Sequence, residues 1–149
     1  MTDTNIKSEL IVMLNQALRL EHSARIQYLA QAELIKGRSS EGLVTRIKEI
    51  AGDEAKHEEK FRTMIGSYLG GEPTMEMTVV HEAKTTDAIL EVSLHDEKTA
   101  IDFYQQIYAK VVANKQELSY CFETLEHELR HIIIDEQEHI VELSAFQGL

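Results

Sequence analysis

Four long stretches of this chain repeat apolar residues at spacings of three and four, which is the spacing of an amphipathic α-helix. The four segments run from about Ile6 to Lys36 (A), from Ser39 or Ser40 to Leu69 (B), from Thr86 or Asp87 to Asn114 (C) and from there to Ala145 (D). Each segment has about 30 residues, so each predicts a helix of about 45 Å. The four helices use nearly all of the 149 residues. The sequence therefore predicts an all-α fold and a single domain over residues 1–149.

The lengths of the three connections indicate how these helices are arranged. The link from A to B is short and follows Gly37, and the link from C to D is very short. The link from B to C is long, from Gly70 to Thr85, and opens with Gly-Gly-Glu-Pro. Short links join antiparallel neighbours, whereas a long link can cross the whole bundle. We therefore expect a four-helix bundle with one long crossover between helices B and C.

Charge and cysteine content narrow the class of protein. The formal net charge is −11, which is unfavourable for binding nucleic acid or an anionic membrane. The single cysteine, Cys121, excludes an internal disulfide. Residues 1–6 lack the basic and apolar pattern of a signal peptide, and no apolar run approaches the ~20 residues of a membrane span. We expect a cytoplasmic protein with no nucleic-acid or membrane partner.

Acidic residues and histidines recur in matching places along the two halves of the chain. Segments B and D each contain Asp-Glu-x-x-His, at residues 53–57 and 135–139. Segments A and C each contain a glutamate that is followed seven residues later by a tyrosine: Glu21 and Tyr28, and Glu97 and Tyr104. The two halves look like copies of one helical hairpin.

In every segment the repeated glutamate continues the apolar stripe, so each predicted helix places one carboxylate on its buried face. Four carboxylates in one apolar interior cannot all stay ionised without compensating charge. Two divalent cations would supply that charge, and a histidine three residues after a glutamate shares its helix face. Carboxylate and imidazole together suit iron or manganese better than a metal that prefers thiolate. The predicted ligands are Glu21, Glu54, His57, Glu97, Glu136 and His139.

The aspartate that precedes each ligand glutamate has a predicted role of its own. Asp53 and Asp135 could each accept a hydrogen bond from the histidine of the facing helix and so fix its tautomer. A third Glu-x-x-His, formed by Glu128 and His131, lies roughly 80° from the apolar stripe by helical geometry. We expect that third pair to be solvated.

At these residues the sequence resembles the ferritin-like di-iron carboxylate proteins and, among them, bacterioferritin, along nearly the whole chain. The family arrangement is one glutamate from each of two helices plus Glu-x-x-His from each of the other two. The resemblance implies two iron ions per chain, with manganese or zinc as substitutes. It implies that Glu54 and Glu136 bridge the metals and that Glu21 and Glu97 are terminal ligands. It also implies that Tyr28 lies beside the site as a hydrogen-bond or electron donor.

Three departures from the family patterns bear on function. Bacterioferritin binds haem through a methionine at the position of Ala55, so no haem is expected. Rubrerythrin-type peroxidases carry an extra glutamate on the third helix, where this chain has Ala100. The chain ends ten residues after His139, without the short fifth helix of bacterioferritin. Assembly into a dimer or into a larger cage is therefore left open.

The resemblance implies a ferroxidase that oxidises Fe²⁺ with O₂ or H₂O₂ and serves iron storage or detoxification. We expect a homo-oligomer, at least a dimer, with Ile26 and Leu34 as part of an apolar contact face. Three alternatives remain. The first is a rubrerythrin-like peroxide reductase that receives electrons from a partner protein. The second is a non-enzymatic iron-binding protein, and the third, which is weaker, is an oxygenase with an organic substrate.

Overall fold

The computed structural model describes the backbone of residues 2–38 and 40–148 and the side chains from Ile6 onwards within those ranges. The described residues contain no β-strand and form a four-helix bundle, as predicted. The helices are α1 (Thr2–Ala32), α2 (Ser40–Thr63), α3 (Thr86–Ala113) and α4 (Phe122–Ala145). Helix α1 packs along α2, and α3 packs along α4. No helix of the described chain is long and apolar enough to cross a membrane.

The observed helix ends differ from the predicted ones where a turn beside the helix has the same spacing of apolar residues as the helix. Helix α1 ends at Ala32 rather than Lys36, and Gly37 follows with a positive φ of 109°. The alternative first residue of α2, Ser39, lies outside the described residues. Helix α4 begins seven residues later than predicted, because Lys115–Leu118 forms a 3₁₀ turn that buries Leu118. A sequence pattern detects such a turn poorly, since one buried residue per turn fits both kinds of helix.

Helix α2 is followed directly by a single π-helical turn, Met64–Tyr68, whose register is shown by the 3.1 Å hydrogen bond from Leu69 N to Met64 O. Gly70 then takes a positive φ of 73°. A Cβ atom on Gly71 would lie 2.8 Å from Cδ1 of Ile11, so any larger residue there would have to displace the Ile11 side chain.

The long crossover lies against α1 and is held by polar side chains of that helix. Asn15 both donates to Glu72 O (3.0 Å) and accepts from Thr74 N (2.8 Å). Farther along, Ser23 Oγ donates to Thr78 O at 2.9 Å. These bonds satisfy backbone groups that no secondary structure pairs. At its far end Thr85, rather than the predicted Thr86 or Asp87, caps α3.

The core consists of two apolar clusters. One lies towards the start of α1 and includes Leu14, Phe61 and Leu129; the other includes Ile47, Leu90 and Leu143. The buried glutamates and histidines lie on all four helices. Along each helix they fall between residues of one apolar cluster and residues of the other. A polar layer inside an apolar bundle is costly unless its charges are compensated.

Candidate metal centre

The structure brings all six predicted ligands together in the interior of the bundle. Each is at most 3% exposed. They form two groups of four, within each of which one ligand atom per residue lies within 4.8 Å of the others. The first group is Glu21, Glu54, His57 and Glu136. The second group is Glu54, Glu97, Glu136 and His139, so Glu54 and Glu136 belong to both.

The two imidazoles face this shared carboxylate pair from opposite helices. Nδ1 of His57 lies 3.3 Å from Glu54 Oε1 and 3.5 Å from Glu136 Oε1. Nδ1 of His139 lies 3.7 Å and 3.2 Å from the same two oxygens. Each histidine also approaches one unshared carboxylate. Glu21 Oε2 is 3.6 Å from His57, and Glu97 Oε1 is 3.5 Å from His139.

A pattern of unpaired atoms tests whether the cluster fits metal ions. In the described part of the chain, each of the six residues has one buried ligand atom without a hydrogen-bond partner. The six atoms are Glu21 Oε2, Glu54 Oε1, His57 Nδ1, Glu97 Oε2, Glu136 Oε1 and His139 Nδ1. An unpaired buried polar atom costs about 1–3 kcal/mol. One cation in each group would give every one of these atoms a partner, so the residues fit a pair of metal ions.

The aspartate–histidine hydrogen bonds expected from the sequence are present and cross between α2 and α4. His57 Nε2 lies 2.9 Å from Asp135 Oδ2, and His139 Nε2 lies 3.0 Å from Asp53 Oδ2. The bond from His57 holds the pKa of Asp135 below its usual value. With each Nε2–H donating to a carboxylate, each Nδ1 faces the cluster and would coordinate a cation once it has lost its own proton.

Protons are held strongly by the cluster itself. Burial disfavours the charged form of His57, but the carboxylates around it outweigh this and raise its pKa to about 11. The same balance, with hydrogen bonds to Glu136 and Glu97, raises the pKa of His139 to about 11. Burial, followed by repulsion between carboxylates, raises the pKa of Glu54 and of Glu136 well above the usual value. Protons thus balance the buried negative charge when cations do not.

Two buried tyrosines hold the unshared carboxylates. The hydroxyl of Tyr28 donates to Glu97 Oε1 at 2.6 Å, and that of Tyr104 donates to Glu21 Oε1 at 2.6 Å. Burial raises the pKa of both phenols, and the neighbouring carboxylates raise it further. The sequence prediction gave a role at the site only to Tyr28. The equal seven-residue spacing of the two Glu–Tyr pairs was the signal that could have identified Tyr104.

The third Glu-x-x-His pair belongs to neither group of ligands in the described chain. Glu128 instead lies 3.1 Å from Lys60 Nζ, and His131 stacks on His127 with ring centroids 4.2 Å apart.

A buried carboxylate that the sequence prediction missed is Glu58, which follows His57. It is 5% exposed and pairs with the guanidinium of Arg25 on α1. Its position outside the apolar stripe gave no signal for burial.

A cavity of about 120 Å³ reaches the cluster from between α1, α3 and the crossover. It is lined by the four glutamates of the cluster at its inner end and by residues such as Val79 and His95 towards the surface. A water molecule occupies about 30 Å³ in the liquid, so the cavity holds roughly four. It is large enough for small inorganic molecules and metal ions.

A buried layer of carboxylates and imidazoles in a four-helix bundle with one long crossover is the arrangement of ferritin-like di-iron carboxylate proteins. The family profile described as the Ferritin-like domain matches residues 11–148, so the chain belongs to the ferritin-like family. No curated protein matches the chain.

Solved structures agree with this assignment. A ferritin-like, diiron-carboxylate protein from Bacillus anthracis strain Ames is 26% identical with a TM-score of 0.87, over 96% of this chain and 98% of that one. The bacterioferritin of Desulfovibrio desulfuricans, which has a diiron site, is 27% identical with a TM-score of 0.80, over 96% and 80%. Mycobacterium tuberculosis bacterioferritin BfrA is 22% identical with a TM-score of 0.75, over 92% and 82%, and shares the fold.

Proposed function

We propose that this protein is a bacterioferritin-like ferroxidase, which binds two Fe²⁺ ions between its four helices and oxidises them. The observation that carries the proposal is the set of six unpaired buried atoms, divided into two groups that share Glu54 and Glu136. In this arrangement Glu54 and Glu136 would bridge the ions. Glu21 with His57, and Glu97 with His139, would complete the two pockets. Manganese or zinc could occupy the same ligands.

In the proposed reaction Fe²⁺ is the substrate and O₂ or H₂O₂ is the oxidant. Two Fe²⁺ ions lose one electron each and become Fe³⁺. With O₂, the two electrons and two protons form H₂O₂; with H₂O₂, they cleave the O–O bond and form two water molecules. The protein supplies carboxylates that balance the growing positive charge, and a site that excludes most water.

Individual side chains have distinct proposed tasks. Asp53 and Asp135 keep the imidazoles oriented towards the ions through the Nε2 hydrogen bonds. Tyr28 and Tyr104 hold the terminal carboxylates in place. We also propose that Tyr28 can supply an electron, because its hydroxyl directly contacts the ligand Glu97.

The size of the cavity weakens the oxygenase alternative. Pockets for organic ligands usually measure about 300–1,000 Å³, whereas the cavity at the cluster measures about 120 Å³. We infer that the oxidised species is the metal ion itself. We propose a homo-oligomer on the likeness to bacterioferritins. Ile26 of α1 and Leu34 in the turn that follows it are 42% and 43% exposed, which is consistent with a subunit contact. The proposed function involves no haem, because Ala55 occupies the position of the methionine through which bacterioferritin binds it.

Repeated loading with iron tests this function. We expect purified protein to oxidise a first portion of two Fe²⁺ per chain rapidly and then to oxidise further portions, with O₂ consumption followed by an electrode. Continued turnover would support the ferroxidase. A single turnover that resumes only with an added reductant would favour the peroxide-reductase alternative. Slow oxidation equal to that of protein-free buffer would contradict both and leave a binding protein.

The control for this experiment is Glu138→Gln. Glu138 lies on α4 next to His139, is exposed and belongs to neither ligand group. Its substitution changes the charge of the same helix without touching the cluster. The variant should therefore oxidise iron as the natural chain does.

A further inference from the structure

Helices α2 and α4 are joined by two ion pairs, one on each side of the metal cluster. Arg46 Nη2 donates to Glu142 Oε1 at 2.8 Å, and Arg46 Nε contacts the other oxygen of the same carboxylate. On the other side, Lys60 Nζ lies 3.1 Å from Glu128 Oε2. Both pairs place the cation on α2 and the carboxylate on α4.

These pairs break the internal symmetry of the centre. When the two Asp-Glu-x-x-His motifs are superposed in sequence, Asp53 matches Asp135. The residue seven positions earlier is Arg46 in the first motif and Glu128 in the second. Equivalent positions in the two motifs therefore carry opposite charges.

The guanidinium of Arg46 reaches one of the two aspartate–histidine bonds. Its Nη2 atom lies 3.7 Å from Asp53 Oδ2, the same oxygen that His139 Nε2 approaches at 3.0 Å. In the described residues, no lysine or arginine nitrogen lies within 4 Å of an Asp135 carboxylate oxygen. Lys60 also acts on the charge of Asp135, but from beyond 4 Å. A cation therefore lies closer to the Asp53–His139 bond than to the Asp135–His57 bond.

This difference has a predictable effect on metal binding. A carboxylate that accepts a hydrogen bond from a ligand imidazole makes the ring a better donor to its metal. A cation beside that carboxylate draws negative charge away from the ring, and its own charge also opposes a nearby metal ion. Arg46 is 23% exposed and is also paired with Glu142, so water and this partner reduce the effect without removing it.

Given the proposed metal centre, we propose that Arg46 makes the two pockets unequal. Acting through Asp53 and His139, it weakens cation binding in the pocket of Glu97 and His139 relative to the pocket of Glu21 and His57. Arg46 is a positioning residue, since it contacts no ligand atom. The inequality gives the two ions an order of binding and leaves the second ion more readily released.

Calorimetric titration with Co²⁺ under chelator-free conditions tests the inequality. The natural chain should bind two ions in two steps whose affinities differ by about tenfold. Arg46→Gln should tighten the weaker step about three- to tenfold and bring the two steps together. Arg46→Lys, which keeps the charge, should preserve the separation.

Two further variants test whether the change in Co²⁺ affinity comes from Arg46 and occurs in the pocket of Glu97 and His139. Lys60→Gln removes the other ion pair between the same helices. Lys60 acts on Asp135, not on Asp53, so this variant should leave the step of the Glu97 and His139 pocket unchanged. In a His57→Gln background, which disables the first pocket, Arg46→Gln should tighten the remaining step, and the visible absorption of bound Co²⁺ should report the altered ligand field of His139.

The results separate failure of this inference from failure of the proposed function. Two bound ions whose affinities Arg46→Gln leaves unchanged, or separates further, would overturn the inequality alone. An equal response to Lys60→Gln would also overturn it, because a general effect of breaking helix contacts would then explain the data. A natural chain that binds no Co²⁺ would overturn the metal centre and the inequality together.

Discussion

Replacing Glu54 by glutamine should abolish tight metal binding at both pockets while making the metal-free protein more stable. The carboxylate belongs to both ligand groups, so its loss removes a negative ligand from each ion. We expect the affinity for Co²⁺ or anaerobic Fe²⁺ to fall by at least about a hundredfold, since a lost ligand costs no less than a lost outer hydrogen bond. Titration with either ion measures this loss.

The gain in stability comes from removing a buried acid. Burial and neighbouring carboxylates raise the pKa of Glu54, so its charged form is disfavoured in the folded metal-free chain. A neutral amide of the same shape should increase the free energy of unfolding by about 1–3 kcal/mol, measured by urea denaturation with chelator present. Glu59→Gln, at an exposed site on the same helix, should change neither quantity. Unchanged metal affinity in Glu54→Gln would contradict the shared role of this carboxylate.

Bound metal should reverse the pH dependence of stability. In the metal-free chain the pKa of His57 and of His139 is raised to about 11 from an ordinary value of 6.5. A raised histidine pKa contributes stability that is complete below pH 6.5 and is lost as the pH rises towards 11. The raised pKa values of Glu54 and Glu136 act with the same sign, because deprotonation leaves buried charges that repel each other. The metal-free protein should therefore lose stability between pH 6.5 and 9.

Metal ions compete with these protons for the same atoms. Binding must release them, so metal affinity rises with pH. With Co²⁺ or Zn²⁺ in excess, ligand linkage should add about 2.7 kcal/mol or more once the free ion exceeds its Kd a hundredfold. Thermal unfolding at pH 6.5 and 9, with chelator and with metal, measures both trends. A metal-free melting temperature that rises with pH, or a metal-induced gain that shrinks with pH, would contradict this account.

The buried cluster of six side chains could be predicted from sequence because helical periodicity determines which side of a helix is buried. Glu21 and Glu97 interrupt apolar stripes, and an apolar interior admits such residues only with compensation. The bonds of Asp53 and Asp135 followed from the same logic, since the motifs lie on helices that the topology makes antiparallel. The spacing of apolar residues and one long connection were therefore enough to predict the bundle and the buried cluster.

Features that depend on the contact between distant segments could not be predicted in this way. The bonds from Asn15 to the crossover join residues nearly 60 positions apart. The pairing of Arg46 with Glu142 depends on how far α2 and α4 slide past each other, which no local pattern records. The late start of α4 reflects a 3₁₀ turn whose apolar spacing resembles that of a helix.

The most direct test of the metal centre is anomalous X-ray scattering at the iron edge from crystals loaded with Fe²⁺ under anaerobic conditions. We predict two iron peaks per chain, about 3.5–4 Å apart, one beside Glu21 and His57 and the other beside Glu97 and His139, with Glu54 and Glu136 between them. Fully loaded crystals with no peak among these six side chains, or with iron only on the protein surface, would contradict the account.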